Sequence, residues 1–350
     1  AYFLKVKTTA NPGNELGTYT LLVPDWINYY AFSANSEALS SINFFDDDTR
    51  IEMGLRESPS NLYLSLVQND GDVPRYRYSS SIEVSGETTI DQTAIDAMAV
   101  MTAKNFSSSA STVSGEIFIE GKTINKKMVF PIWFSTINSG SPTTAVYYPN
   151  ALTNVLFQSY TTRVFYEKTT DVFYGFTKEA TTEPATEFAE LNVALDQVKS
   201  KTISKLSIVT AGQASYVDAG LHYQADNIFF DWNVYTSMAQ NIDINLPQFT
   251  SDLLEEIGME FLNDGLDFTQ VTFTENADVS SYSALYTAAL KDNGDPVAMK
   301  NVGEKTYVLG SNGGRQRSLR PRSSVAESIY KGIRPNSGSP FRSWSLGVAH

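Results

Sequence analysis

RYRYSSSIEV (75–84) and VSGEIFIEGK (113–122) are the two stretches that decide the fold class. Apolar and polar side chains alternate in both, most clearly around Val113, Glu116, Ile117, Phe118, Ile119 and Lys122. A period of two is what a half-buried strand requires. The pair reads as neighbouring strands of an antiparallel β-sandwich with one short helix inserted between them. On such a scaffold, chemistry belongs to loops, insertions and chain ends.

Outward from this pair the same grammar repeats. Residues 2–7, 19–23, 26–32, 51–55 and 62–67 read as strands before it, separated by turn-formers such as NPGN (11–14) and NDGD (69–72). After it, 127–135 reads as a strand whose Pro131 cannot donate to a ladder, which predicts an edge position. Short strands continue at 145–148, 155–157, 161–166, 171–176, 206–209, 216–223, 228–235, 242–246 and 266–273, the spacing of a sandwich or barrel. Apolar residues at helical spacing predict helices over 93–104 with Asp91 or Thr93 as cap, over 187–199 on Phe188, Leu191, Leu195 and Val198, over 251–261 before Gly265, and over 282–290. After Leu309 the periodicity stops, and SNGGRQRSLRPRSS opens an extended arm with one helical turn near 324–330.

Composition agrees with a β-rich chain: aromatic residues make up 12% and charged residues only 19%, which favours pleated, half-buried surfaces over helices. With 350 residues the chain buries enough surface for one large or two medium domains. The absence of cysteine excludes a disulfide framework, a thiol nucleophile and a cysteine-ligated metal. No apolar run reaches the length of a membrane span, and residues 1–9 read as a strand rather than a signal peptide, so a soluble chain without membrane insertion is expected.

Charge is the most uneven property. Residues 300–350 hold nine basic side chains against Glu304 and Glu327, a local charge of +7, which leaves −20 on the other 299 residues. Arg315, Arg317, Arg320, Arg322, Lys331, Arg334 and Arg342 lie in the segment without periodicity. Guanidinium groups pair bidentately with phosphates, so this arm is the candidate nucleic-acid contact, with salt-dependent, sequence-independent binding. A solubilising or subunit-strapping arm is the competing reading.

Other candidates are weaker. Asp46, Asp47 and Asp48 offer clustered carboxylates to a structural calcium ion, but lack the spacing of a known loop, and a solvated turn explains them more simply; the same holds for Asn69, Asp70 and Asp72. His222 and His350 are the only histidines, which leaves no histidine metal site, and no nucleophile elbow accompanies His222 beside Asp218 and Asp226. Carboxylate pairs such as Asp226 with Asp231, or Glu255 with Glu256, suit a glycosidase only at a suitable separation in space. Tyr160, Phe165, Tyr166, Phe173, Tyr174 and Phe176 form either a sugar-stacking face or core. No Walker loop, dinucleotide fingerprint or zinc spacing is present, and neither catalysis nor a cofactor is expected.

The opening pair also resembles the strand pair of nodavirus-type capsid proteins, in which an aromatic-Arg-Tyr strand precedes a strand led by small residues. AYFLKVKTTANPG (1–13) is similar to the start of their ordered shell, and DNIFFDWNVYTSMAQNIDI (226–244) resembles their last shell strands. Coat proteins of the bacilladnaviruses, single-stranded DNA viruses of diatoms, are similar to those of nodaviruses, and this chain resembles that group. The resemblance implies a single jelly roll, many copies closing into an icosahedral shell in the virion, and an enclosed genome of single-stranded DNA or RNA. Two features depart from it: the basic arm before the shell is missing from the sequence, and no acidic residue or junction for self-processing can be placed. The implied division is 1–137 for the first part of the shell domain, 138–183 for a projecting insertion, 184–310 for the remaining shell strands and helices, and 311–350 for the basic tail. The alternative from a different class is a cell-surface or secreted glycan-binding sandwich, and a carbohydrate-active enzyme comes third.

Overall fold

Period-two segments become strands here nearly wherever they occur, and their pairing sorts them into layers. The computed structural model of the chain describes residues 2–7, 16–22, 28–34, 39–44, 50–55, 58–67, 72–108, 114–124, 129–139, 143–150, 156–202, 205–225, 228–245, 268–291, 300–309 and 343–349. The largest sheet runs in the order β1 (Tyr2–Lys7), β23 (Ser343–Ala349), β19 (Ile228–Thr236), β18 (Tyr216–Ala225), β21 (Gln270–Asn276), β22 (Asn301–Val308), β15 (Val172–Ala180), β14 (Phe157–Thr169), β11 (Ser114–Thr123), β12 (Val129–Asn138). A five-stranded sheet runs β4 (Leu39–Phe44), β3 (Asn28–Ala34), β6 (Ser60–Val67), β7 (Arg75–Ile82), β9 (Ala99–Val100). Smaller sheets are β5 (Arg50–Leu55), β2 (Gly17–Leu22), β8 (Glu87–Thr89); β16 (Val193–Thr202), β17 (Lys205–Gly212), β20 (Asn241–Asn245); and the pair β10 (Thr102–Ser107), β13 (Thr143–Tyr148). Two helices, α1 (Gln92–Asp96) and α2 (Tyr282–Lys291), complete the described residues. The protein is mainly β, with several sheets paired mostly antiparallel.

One face of the ten-stranded sheet carries the main core. Ile117, Val164, Phe176, Val217 and Phe273 are buried there, against Leu206 and Ile208 of β17, Ile242 and Ile244 of β20, Phe106 of β10 and Val146 of β13. At the β12 end the cover is the five-stranded sheet. Tyr63 of β6 meets Phe130 at 6.2 Å and Phe157 at 5.9 Å between ring centroids, and Tyr78 of β7 meets Phe130 edge-on at 5.9 Å. The opposite side of β6 presents Leu62, Leu64 and Leu66 to a second core with Leu21, Leu55, Ile95 and Met98. This end therefore has three layers, and β6 is buried on both of its faces. Each such apolar side chain contributes about 1.5–3 kcal/mol by leaving water.

Midway along the large sheet, Lys305 of β22 tethers it to β16, donating from Nζ to the Val193 carbonyl at 2.7 Å, while Tyr307 donates to the same oxygen at 3.2 Å. The Lys305 ammonium lies 5.5 Å from the Tyr174 ring centroid and 5.2 Å from that of Tyr307. Cation–π attraction thus supplements the apolar contact.

Several expectations change. The opening stretches are β7 and β11, both strands, but they lie in different sheets, and each contributes buried residues to the main core. The helix expected over 93–104 ends after α1. Asp91 caps it as expected, accepting from the Ala94 amide at 2.8 Å, but the segment 99–107 then alternates as β9 and β10. The helix expected over 187–199 is β16 preceded by irregular chain. Two register shifts, at Leu195/Gln197 and Val198/Ser200, displace the apolar residues from period two and imitate helical spacing. The helix over 282–290 is α2, and β12 with Pro131 is an edge strand of its sheet. Segment 138–183 supplies β13, β14 and β15, and the last two are interior strands of the large sheet. The expected tail is not extended to its end: SWSLGVA alternates Trp344, Leu346 and Val348 and forms β23, antiparallel to β1 and parallel to β19. The helix over 251–261 and the helical turn near 324–330 lie outside the described residues.

Two substitutions test the layered core. Phe130→Ala should lower unfolding free energy by about 3–5 kcal/mol. At Gly121 of β11 an added Cβ would overlap Ile132 and Phe157, so Gly121→Ala should cost about 1–3 kcal/mol. Val129, which is 44% exposed, is the control, since its change to alanine should shift the urea midpoint little.

Candidate functional site

The residues singled out by sequence lie mostly elsewhere than in the described parts. Asp46, Asp47, Asp48, Asn69, Asp70, Asp226, Glu255, Glu256, Arg315, Arg317, Arg320, Arg322, Lys331, Arg334 and Arg342 are outside them. What the topology does establish is that 310–342 joins β22 to β23, two strands of one sheet. The basic run is therefore tethered at both ends. His222 of β18 stands opposite Asp231 of β19 in register. Among the aromatic candidates, Tyr160, Tyr166, Phe173, Tyr174 and Phe176 are buried and Phe165 is half-buried, so these rings are chiefly core.

The most unusual constellation is on the other face of the ten-stranded sheet, where β18, β21 and β22 run side by side. Registers place Tyr216, Thr274 and Glu304 in one row, and Asp218, Thr272 and Thr306 in the next. All six are buried. Alternation makes this face polar because the same strands send Val217, Val271 and Phe273 into the core. Thr272 and Thr306 share a hydrogen bond at 2.9 Å, and Asn276, beyond Thr274 on β21, accepts from the amides of Asp278 at 2.8 Å and Val279 at 3.1 Å. Asp218 Oδ1 has no hydrogen-bond partner among the described residues.

Two carboxyl groups buried on one small lattice cannot both ionise at ordinary cost. Burial first, and then the negative field of Glu304, push Asp218 up to about 8. Burial and the same Glu304 field also raise the Tyr216 hydroxyl above its usual range. At neutral pH the lattice thus holds a proton on Asp218. A neutral carboxylic acid can donate one hydrogen bond, and its chemistry here is that of a structural proton held in a lattice of hydroxyls.

No protein-family model and no curated protein matches the chain. Among the described residues, no group of three or more His, Cys, Asp or Glu side chains is placed to hold a metal, and no helix is long and apolar enough to cross a membrane.

Sequence reading weighed Asp218 only as a neighbour of His222 and counted Glu304 only in the charge of the C-terminal stretch, with no strand assigned to 301–308. The signal that marks them is the run of glutamine, threonine and asparagine at alternate positions in QVTFTEN (270–276), with Glu304 and Thr306 of NVGEKTYV (301–308) set opposite it in register. Two adjacent strands with small hydroxyl residues in register suit a covered polar face better than a solvated one.

This lattice sets a pH dependence. The folded chain keeps on Asp218 a proton that the unfolded chain releases near pH 4, so the native state binds more protons across that interval. Stability from this group is therefore greatest at acid pH and declines as pH rises from about 4 to about 8. Asp218→Asn should flatten that decline and raise the melting temperature at pH 8 by a few degrees over the parent, as read by calorimetry at pH 5, 6.5 and 8. An unchanged slope would show that Asp218 is ionised throughout.

Proposed function

We propose that the chain is a viral coat protein of the single jelly-roll class, resembling the nodavirus and bacilladnavirus type, that assembles into an icosahedral shell around a single-stranded nucleic-acid genome. The observation that carries this reading is the charge partition, an acidic body of −20 joined to a basic stretch of +7. Sheet topology adds that the basic run is a connection held at both ends by strands of the large sheet. A cationic connection anchored to one sheet keeps its arginines with that sheet, and many copies in closed symmetry would bring them together on one side of a shell. Acidic surfaces elsewhere would keep assembled particles apart.

A layered all-β body with edge strands suits this role, because a shell subunit must be rigid while its loops and ends meet neighbours. The glycan-binding alternative loses its main support, since most of the rings proposed for sugar stacking are in the core.

The test is single-stranded nucleic-acid binding by the full chain across a salt series. Changing Arg315, Arg317, Arg320 and Arg322 together to Gln removes four phosphate contacts, and should make the slope of log affinity against log salt shallower by about 3 for single strands. The variant should also form particles with less nucleic acid, read from the 260/280 nm absorbance ratio. Identical slopes and contents for parent and variant would overturn the assignment of these arginines to the genome.

A further inference from the structure

Between α1 and the five-stranded sheet lies a cavity of about 300 Å³, the small end of the range that holds organic ligands. Register builds one wall: Leu66 of β6, Arg75 of β7 and Val100 of β9 stand opposite one another in a single row across three strands. Ile95 of α1, which shares the second core with Leu66, forms another wall, and Asp72 and Val73 line the cavity from just before β7. Leu66 and Ile95 are buried, whereas Val73 and Val100 are both exposed. One exposed apolar side chain is ordinary, but two on the same cavity form a surface that favours an apolar guest.

Arg75 is the cation of this row. Its Nη1 donates to the carbonyl oxygens of Asp96 at 3.4 Å and Met98 at 3.2 Å, at and just past the end of α1. Those bonds hold one corner of the guanidinium in place. Nε and Nη2 make no hydrogen bond or ion pair among the described residues. Together these two nitrogens form the edge that matches both oxygens of a carboxylate in a fork.

The cavity therefore joins an anchored cationic fork to apolar walls. An aliphatic monocarboxylate satisfies both, with its oxygens on the fork and its tail against Val73, Ile95 and Val100. Phosphate has no apolar part, and its second charge would meet the Asp72 carboxylate. An aliphatic alcohol matches the walls and leaves the fork without an anion.

We propose that this cavity binds a short-chain aliphatic monocarboxylate, with Arg75 as its anchor. None of its described lining residues lies in the basic run 315–322, so the site and the genome assignment stand or fall separately.

Ligand-observed NMR titration of the full chain with hexanoate tests the site. Affinity should rise about three- to four-fold per methylene from butyrate to hexanoate, the increment for burying one CH₂. Hexan-1-ol should bind about ten-fold more weakly than hexanoate, since it forgoes the charge-assisted pair. Val100→Asp places a like charge on an exposed wall without disturbing the core, and should lower hexanoate affinity about five-fold, the upper range for exposed charge pairs. Arg75→Lys keeps the charge but loses the fork, so it should weaken hexanoate and leave hexan-1-ol unchanged, with the melting temperature reporting that the fold is intact. The proposal is overturned by an absence of hexanoate binding, by hexan-1-ol binding as tightly, or by hexanoate binding that Val100→Asp leaves intact. Tighter binding of inorganic phosphate would also overturn it in favour of a plain anion site, and tighter binding of an acetylated peptide ending in leucine in favour of a chain terminus.

Discussion

Packing of the five-stranded sheet onto the ten-stranded one passes through few rings, and much of the rest is arranged to permit it. Tyr63 reaches across to Phe130 and Phe157, and Tyr78 meets Phe130 edge-on. Those contacts need Gly121, because any side chain there would collide with Ile132 and Phe157. They also bury β6 on both faces, so its other side must find Leu21, Leu55 and Ile95, and the third layer follows. Large aromatic rings suit this role because each buries much area at the cost of only two side-chain torsions. The stretch VSGEIFIEGK thus contributes its glycines as well as its alternation.

The polar face behind β18, β21 and β22 is a different kind of solution. A buried hydroxyl lattice is tolerable when each group finds a partner, and the Thr272–Thr306 bond and the Asn276 turn meet that condition. Asp218, whose Oδ1 has no hydrogen-bond partner among the described residues, does not meet it, and keeping a proton lowers the cost by removing the charge. The face beneath carries Val217, Val271 and Phe273 into the core, so one strand set separates a mainly apolar layer from a polar one.

Much of the fold was legible because strands announce themselves by alternation. β1, β2, β6, β11 and β18 fall close to the segments read from sequence. Failures occurred where the period was disturbed or the segment was short. Bulges in β16 shifted Leu195 and Val198 into a helical spacing, and the five-residue α1 was extended through Met98 and Met101, which are buried for reasons of packing rather than helical face. Sheet membership was not legible, since β7 and β11 carry similar patterns and pair with different partners. The site was less legible still: Asp218 and Glu304 become neighbours only through pairings β18–β21 and β21–β22, which join residues more than fifty positions apart for the first of them. Trp344, Leu346 and Val348 did carry a strand signal, overshadowed by the arginines before them.

The shell proposal rests on an acidic layered body and on a basic connection between two strands of one sheet. Copy number and closure are properties of the assembly, so the direct measurement is electron microscopy of the purified full-length chain with single-stranded nucleic acid, from low to moderate ionic strength. The account predicts closed particles of uniform diameter containing nucleic acid. Monomers alone at every condition, with nucleic acid present, would contradict it.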